Sequence, residues 1–178
     1  MAKVILFRGK AGVGKTTLSS RVSKELSIPV VRKDDVYDSI APYIENYEIT
    51  NKACYDILYR IIETNLSNGI DIIVDAGFHD IDQVLQFKRW VKSKKGYFIS
   101  ILCICSNEEI WAERFNKRKL NLQPNNLITD FHKLKIHYKD LETELLENEI
   151  ILDSIDDIYI LIEKTCKEIN VVLSNNRN

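Results

Sequence analysis

Short unbroken apolar runs recur along the chain at Val4–Phe7, Ile28–Val31, Ile70–Val74, Tyr97–Cys105 and Ile150–Leu152. Runs without alternation suit strands covered on both faces. Between them the apolar period becomes helical: Leu18, Val22 and Leu26 sit four apart, Ile57, Leu58, Ile61 and Ile62 form a stripe, and Val84, Leu85 and Val91 recur similarly. Five strands alternating with helices predict an α/β fold, a mainly parallel sheet between two helical layers.

Punctuation agrees with this period. Gly69 and Gly96 fall between a helical pattern and the next strand, where a left-handed residue ends a helix. Ser106 with Glu109 reads as a capping box, and Ser154 with Asp157 as a weaker one. Pro42 separates a short helix after Asp35 from a longer one starting near Thr50. The polar tail from Ser174 to Asn178 is expected to fray. Two stretches exceed a minimal βα repeat: Ala41–Asn68, and the aperiodic Leu120–Asn126. Extra material of this kind usually covers a ligand.

The chain has 178 residues, 45% of them hydrophobic and 29% charged. These values predict one soluble globular domain over 1–178, with no membrane segment. A net charge of −1 supplies no global field for nucleic acid or anionic lipid. The apolar start is too short for a secretory leader, and the four cysteines, two inside one apolar run, read as buried thiols; both suit a reducing cytoplasm.

Chemistry enters after the first strand. Gly9, Gly14, Lys15 and Thr16 fit G-x-x-x-x-G-K-[ST] between a strand and a helix, the context that motif needs. Backbone N–H groups from Gly9 through Ala11, Gly12, Val13 and Gly14 to Thr17 are expected to cradle phosphate. Lys15 adds a point charge between the β- and γ-phosphates, Thr16 offers a hydroxyl to Mg²⁺, and the helix dipole faces the same anion.

The second strand runs into Asp34 and Asp35 at the carboxyl edge of the sheet. A carboxylate there either accepts a hydroxyl proton during attack on a γ-phosphate or caps the next helix. Asp75 ends the third strand, where a Mg²⁺-side carboxylate belongs; a turn carboxylate is the alternative. His79 follows nearby and reads as a satisfied or surface residue. Arg114 and Arg118, four apart, either close over the transferring phosphoryl group or match the helix dipole. Tyr37, Tyr43, Tyr47, Tyr55 and Tyr59 crowd the segment expected to cover the acceptor, and some of them would serve only as helix packing.

In order, the phosphate loop, "RKDD", "VDAGFHD" and "ERFNKR" resemble the polynucleotide-kinase-like group of P-loop kinases, which includes chloramphenicol phosphotransferase and zeta-toxin-type kinases. The resemblance covers about residues 1–120. It implies the adenylate-kinase-like fold with strand order 2-3-1-4-5, ATP and Mg²⁺ as cofactors, and transfer of the γ-phosphate to a hydroxyl. By the same resemblance Asp34 is the acceptor-activating base, Arg114 and Arg118 are lid arginines, and Asp75 is a metal-side or acceptor-side carboxylate. Asp35 and Tyr37 are expected to face the acceptor, which segment 36–68 covers, and the lid spans 114–129. Polynucleotide kinases of this type tend to carry arginine where this chain has Tyr37. That favours a small-molecule or nucleoside-like acceptor, although Lys33 and Lys52 keep a polynucleotide 5′-hydroxyl open. A nucleotide switch with slow hydrolysis is the other alternative, and the chain is expected to be a monomer or homodimer.

Overall fold

The structure, a computed structural model, describes residues 1–139 and 144–174. Five strands form one parallel sheet: β1 (Lys3–Arg8), β2 (Val30–Arg32), β3 (Ile72–Asp75), β4 (Tyr97–Ile104) and β5 (Ile150–Asp153). Their order is β2-β3-β1-β4-β5, as expected, with β1 central. Val4 pairs with Ile72 on one side and Phe98 on the other. The helices are α1 (Lys15–Leu26), α2 (Lys33–Ile40), α3 (Tyr47–Ser67), α4 (Ile81–Ser93), α5 (Glu108–Lys117), α6 (Phe131–Lys139) and α7 (Ile158–Ser174).

The unbroken apolar run of β1 serves two cores at once. Ile5 and Phe7 point toward Leu18 and Val22 of α1 and Leu161 and Ile169 of α7. Val4 and Leu6 point the other way, toward Leu58 and Ile62 of α3 and Val84, Phe87 and Val91 of α4. Strand alternation sends neighbouring side chains to opposite faces. Leu58 and Ile62 are fully buried, so truncating either to alanine is expected to cost about 2–5 kcal/mol. A third small core of Phe115, Leu134 and Tyr138 lies outside the sheet layers and carries Trp111 and Phe131 at its rim.

Several boundaries differ from expectation. The first residues of the second and third apolar runs precede their strands; Ile70, at the chain bend after α3, is 45% exposed. Gly69 is left-handed, but at the other junction Lys95 takes the positive φ. Gly96 is needed there for space, because a Cβ would lie 2.8 Å from Val91 Cγ1 and 2.9 Å from Leu66 Cδ2. The cap of α5 is Asn107, whose side chain accepts from Ile110 N; Ser106 N instead donates to Asp153. Asp157 caps α7 by accepting from Tyr159 N and Ile160 N. The short helix α2 starts at Lys33, and α3 starts at Tyr47 under an Asn46 cap, with a 3₁₀ turn over Ala41–Tyr43 between them. Ser174 ends α7, and the rest of the polar tail lies outside the described residues. No helix among the described residues is long and apolar enough to cross a membrane.

Candidate active site

The loop between β1 and α1 lies on the central strand, at the carboxyl edge where ligands of open α/β sheets bind. Gly9 has φ of 138°, and a Cβ there would come within 2.2 Å of the Cys103 carbonyl oxygen on β4. The loop therefore passes against β4 with no room for a side chain. Gly14, also at positive φ, directly precedes α1. In this conformation Lys15 Nζ donates to the Lys10 carbonyl at 2.9 Å and so lies across its own loop. Burial lowers the Lys15 pKa, an effect that Asp75, Cys103 and Asp34 oppose.

Ala11 is fixed through the peptide groups on both its sides. Its N–H donates to the Tyr138 hydroxyl at 2.9 Å, and its carbonyl accepts from Trp111 Nε1 at 2.8 Å. Lys10 Nζ sits over both rings, 5.8 Å from that of Trp111 and 5.7 Å from that of Tyr138. The sequence carries no motif for these two anchors; they converge only once α5 and α6 pack.

One cleft of about 960 Å³ contains much of the predicted chemistry: Lys15, Thr16, Asp34, Asp75, Arg114 and Arg118 all line it. Asp75 ends β3, is 6% exposed, and accepts from the Ser19 hydroxyl at 3.2 Å. It is a strand-end carboxylate facing α1, not a turn cap. Asp34 and Asp35 lie in the first turn of α2, whose N-cap is Arg32 with no side-chain cap bond, so neither aspartate caps it. Asp34 keeps an open face to the cleft while protein crowds its other sides. Burial raises its pKa, and the charges of Lys33 and Lys15 restrain that rise. Asp35 points to Arg32, with Nη1 to Oδ2 at 3.0 Å.

The two arginines part company. Arg114 is spent on the turn after β5, donating to Ser154 Oγ at 2.7 Å and to the Ser154 carbonyl at 2.9 Å. The Arg118 guanidinium has no partner among the described residues, lines the cleft, and bears electrostatically on Lys15. It begins a 3₁₀ turn, Arg118–Leu120, that leads into the irregular stretch before α6. This stretch is tethered: Asp38 Oδ1 accepts from Asn125 N at 2.7 Å, and Asp38 Oδ2 accepts from the Asn125 side-chain amide. That contact, across 87 positions of sequence, carries no local signal.

Tyr37 lies beneath the cleft rather than along it. It is 5% exposed, with Lys33 Nζ 4.5 Å from its ring centroid and Tyr47 beside it. Tyr47, Tyr55 and Tyr59 do line the cleft, whereas Tyr43 is 86% exposed. His79 also lines it, and burial, with help from Lys15, lowers its pKa to about 3. Its Nε2 stands 3.5 Å from the Tyr138 hydroxyl.

The residues present fit a Mg²⁺ ion of the kind a nucleotide brings. Such an ion keeps several waters and takes one or two protein oxygens plus phosphate oxygens, so one buried carboxylate and one accessible hydroxyl suffice. Asp75 and Thr16 supply these beside Lys15. Among the described residues no cluster of three metal-binding side chains exists, as a dedicated protein cage would require.

Comparison with solved structures finds the same fold in several proteins. A provisionally assigned kinase from Chloroflexus aurantiacus superposes with a TM-score of 0.75 at 17% identity, covering 93% of this chain and 97% of that one. A sugar kinase from a Janibacter species gives 0.66 at 18% identity, covering 96% and 95%. A gluconokinase from Sinorhizobium meliloti gives 0.67 at 13% identity, covering 98% and 95%. Identities this low carry the fold and not the substrate. Comparison with curated protein sequences gives no match. The sequence model of the AAA domain family AAA_33 matches residues 4–130, so the chain belongs to that family, and its fold is that of the P-loop kinases.

Proposed function

We propose that the protein is an ATP-dependent, cytoplasmic kinase that moves the γ-phosphate of ATP to a hydroxyl of a small molecule. The observation that carries this reading is the convergence of Lys15, Asp34, Asp75 and Arg118 on one cleft. In this reading the loop from Gly9 to Thr17 and the Lys15 ammonium hold the phosphates. Displacing Lys15 from the Lys10 carbonyl is part of nucleotide binding. Mg²⁺ held through Thr16 and Asp75 would neutralise phosphate charge.

Asp34 accepts the proton of the acceptor hydroxyl as that oxygen bonds to the γ-phosphorus and the bond to the ADP oxygen breaks. A base must be ionised at working pH yet hold a proton briefly, and a carboxylate with a raised pKa meets both needs. Arg118 spreads the charge of the transferring group. Arg114 acts one step away, holding the turn at Ser154 on the nucleotide side. Segment 114–129 is the lid that keeps water from the γ-phosphate. The motif order supports descent from the polynucleotide-kinase-like group, and Tyr37 in place of arginine supports an acceptor other than a nucleic acid end.

The test is transfer of labelled γ-phosphate from ATP with Mg²⁺ to a panel of hydroxyl compounds, with Asp34→Asn as the blank. Label should reach an acceptor with the wild-type protein only. Label found solely as free phosphate, unchanged by Asp34→Asn, would replace the kinase reading with a nucleotide switch.

A further inference from the structure

The acceptor wall of the cleft has a chemistry of its own, apart from the phosphate machinery. Asn51, Tyr55 and Tyr59, spaced i, i+4, i+8, present one stripe of α3 to the cleft. The same cleft is lined by Phe78, after β3, and by Gln83 and Gln86 in the first turns of α4. The Tyr55 ring lies 5.6 Å from Phe78 at 58°, and Phe78 stacks on Phe87 at 5.1 Å. Tyr59 is braced edge-on by Trp90 at 4.5 Å and by Phe87 at 5.6 Å. The aromatic faces are therefore held by the core and do not collapse into the cleft.

The polar groups on this wall are amides. The side-chain amides of Asn51, Gln83 and Gln86, and the hydroxyls of Tyr55 and Tyr59, have no hydrogen-bond partner among the described residues. An amide both donates and accepts, so a set of them suits a neutral edge that also does both. No lysine or arginine of α3 or α4 lines the cleft among the described residues. Arg32 and Lys33, at the start of α2, also line the cleft, but Arg32 is bonded to Asp35 and Ser20, and Lys33 lies over the Tyr37 ring. Arg118, which lines the cleft without a partner among the described residues, is on the phosphate side in the kinase reading, so an anionic acceptor would meet Asp34 and the amide wall of α3 and α4.

We propose that the acceptor is an uncharged molecule with a planar ring, its ring packed against Tyr55 and Tyr59, which Phe78 and Trp90 back from the core, and its polar edge read by Asn51, Gln83 and Gln86. This rests on the kinase reading for the position of the reacting hydroxyl near Asp34, but the wall can be tested without turnover.

Binding is measured by calorimetry to the wild-type protein saturated with a non-hydrolysable ATP analogue. The probes are a purine nucleoside, a pyrimidine nucleoside, 4-hydroxybenzyl alcohol, a hexose, gluconate, an aminoglycoside and a nucleoside 5′-monophosphate. At least one neutral ring compound should bind, roughly tenfold or more tighter than the hexose, gluconate and the monophosphate. Tyr55→Leu should weaken that ring compound about tenfold while the ATP analogue binds as before. Gln83→Ala, at an exposed position that leaves the core intact, should weaken it too. Preferential binding of gluconate, hexose, aminoglycoside or monophosphate, failure of every ring compound to bind, or indifference to both substitutions would overturn the assignment. Ring binding that responds to both substitutions, without label transfer from ATP, would refute the kinase and leave the wall's specificity standing.

Discussion

Arg8 ends the central strand one residue before the phosphate loop, and it is completely buried. Its Nε and Nη2 meet the two carboxylate oxygens of Glu149 at 2.6 Å each, and Nη2 also donates to the Glu144 carbonyl at 2.5 Å. Glu149 accepts further from Ser100 Oγ at 2.5 Å and from Leu146 N at 3.2 Å; its side chain is 1% exposed. Arg8→Met or Glu149→Gln leaves one uncompensated buried charge, a loss of about 3–5 kcal/mol. For a chain of this length that lowers Tm by about 6–20 °C. The double variant leaves no buried charge, and the amide oxygen introduced by Glu149→Gln can still accept from Ser100 and Leu146, so its loss should be only about 1–3 kcal/mol. Urea unfolding of the four proteins, with m-values compared, gives the coupling directly, at least about 3 kcal/mol. Additive losses, or a single-variant loss below about 1 kcal/mol, would refute the claim that this pair acts as one buried unit.

Arg118→Ala should lower phosphoryl transfer by roughly 10³-fold or more with little effect on folding, and a wild-type single-turnover rate would remove Arg118 from the reaction. Asp38→Ala cuts the tether to Asn125, a charge-assisted contact worth about 1.5 kcal/mol, so the closure proposed for segment 114–129 should weaken roughly tenfold. The readout is ATP hydrolysis without acceptor rising relative to transfer. The raised Asp34 pKa predicts that transfer falls as pH drops through a value above the ordinary 3.8, because the base must be ionised. For stability, the folded state holds the Asp34 proton more tightly than the unfolded chain, so the ionised carboxylate is a cost fully present above the folded pKa and absent below the unfolded one. Asp34 is exposed to the cleft, which screens most of this cost, so Asp34→Asn should lose transfer while its unfolding temperature at neutral pH stays the same or rises slightly. His79 is neutral above about 3, so His79→Gln should leave the acid limb of the rate profile unmoved.

Local sequence disclosed the sheet because β1, β3 and β4 are covered on both faces, and two-sided burial writes itself as unbroken apolar runs. The glycine-rich turn between β1 and α1 was equally legible as a turn, its glycines being demanded by backbone geometry at Gly9 and Gly14. Chain ends of helices were read less well. Ser106 and Ser154 have good capping chemistry, but the chain turns one residue later at Asn107 and three later at Asp157, where tertiary contacts decide. Residues joined by long-range packing were hidden altogether. Nothing near Trp111 or Tyr138 marks them as partners of Ala11, and nothing near Asp38 marks Asn125. Arg8 did leave a trace, a cation closing an apolar strand, but its partner Glu149 lies 141 positions away.

The double grip on Ala11 also has a consequence for how this scaffold varies. Trp111 comes before the irregular excursion and Tyr138 after it, and their rings stand 6.5 Å apart. The excursion is thus a handle with both roots bolted to one residue of the loop between β1 and α1. For such a closed loop, each doubling of length adds only about 0.6 kcal/mol of closure entropy. The handle can be lengthened, shortened or resculpted while the loop between β1 and α1 stays in register.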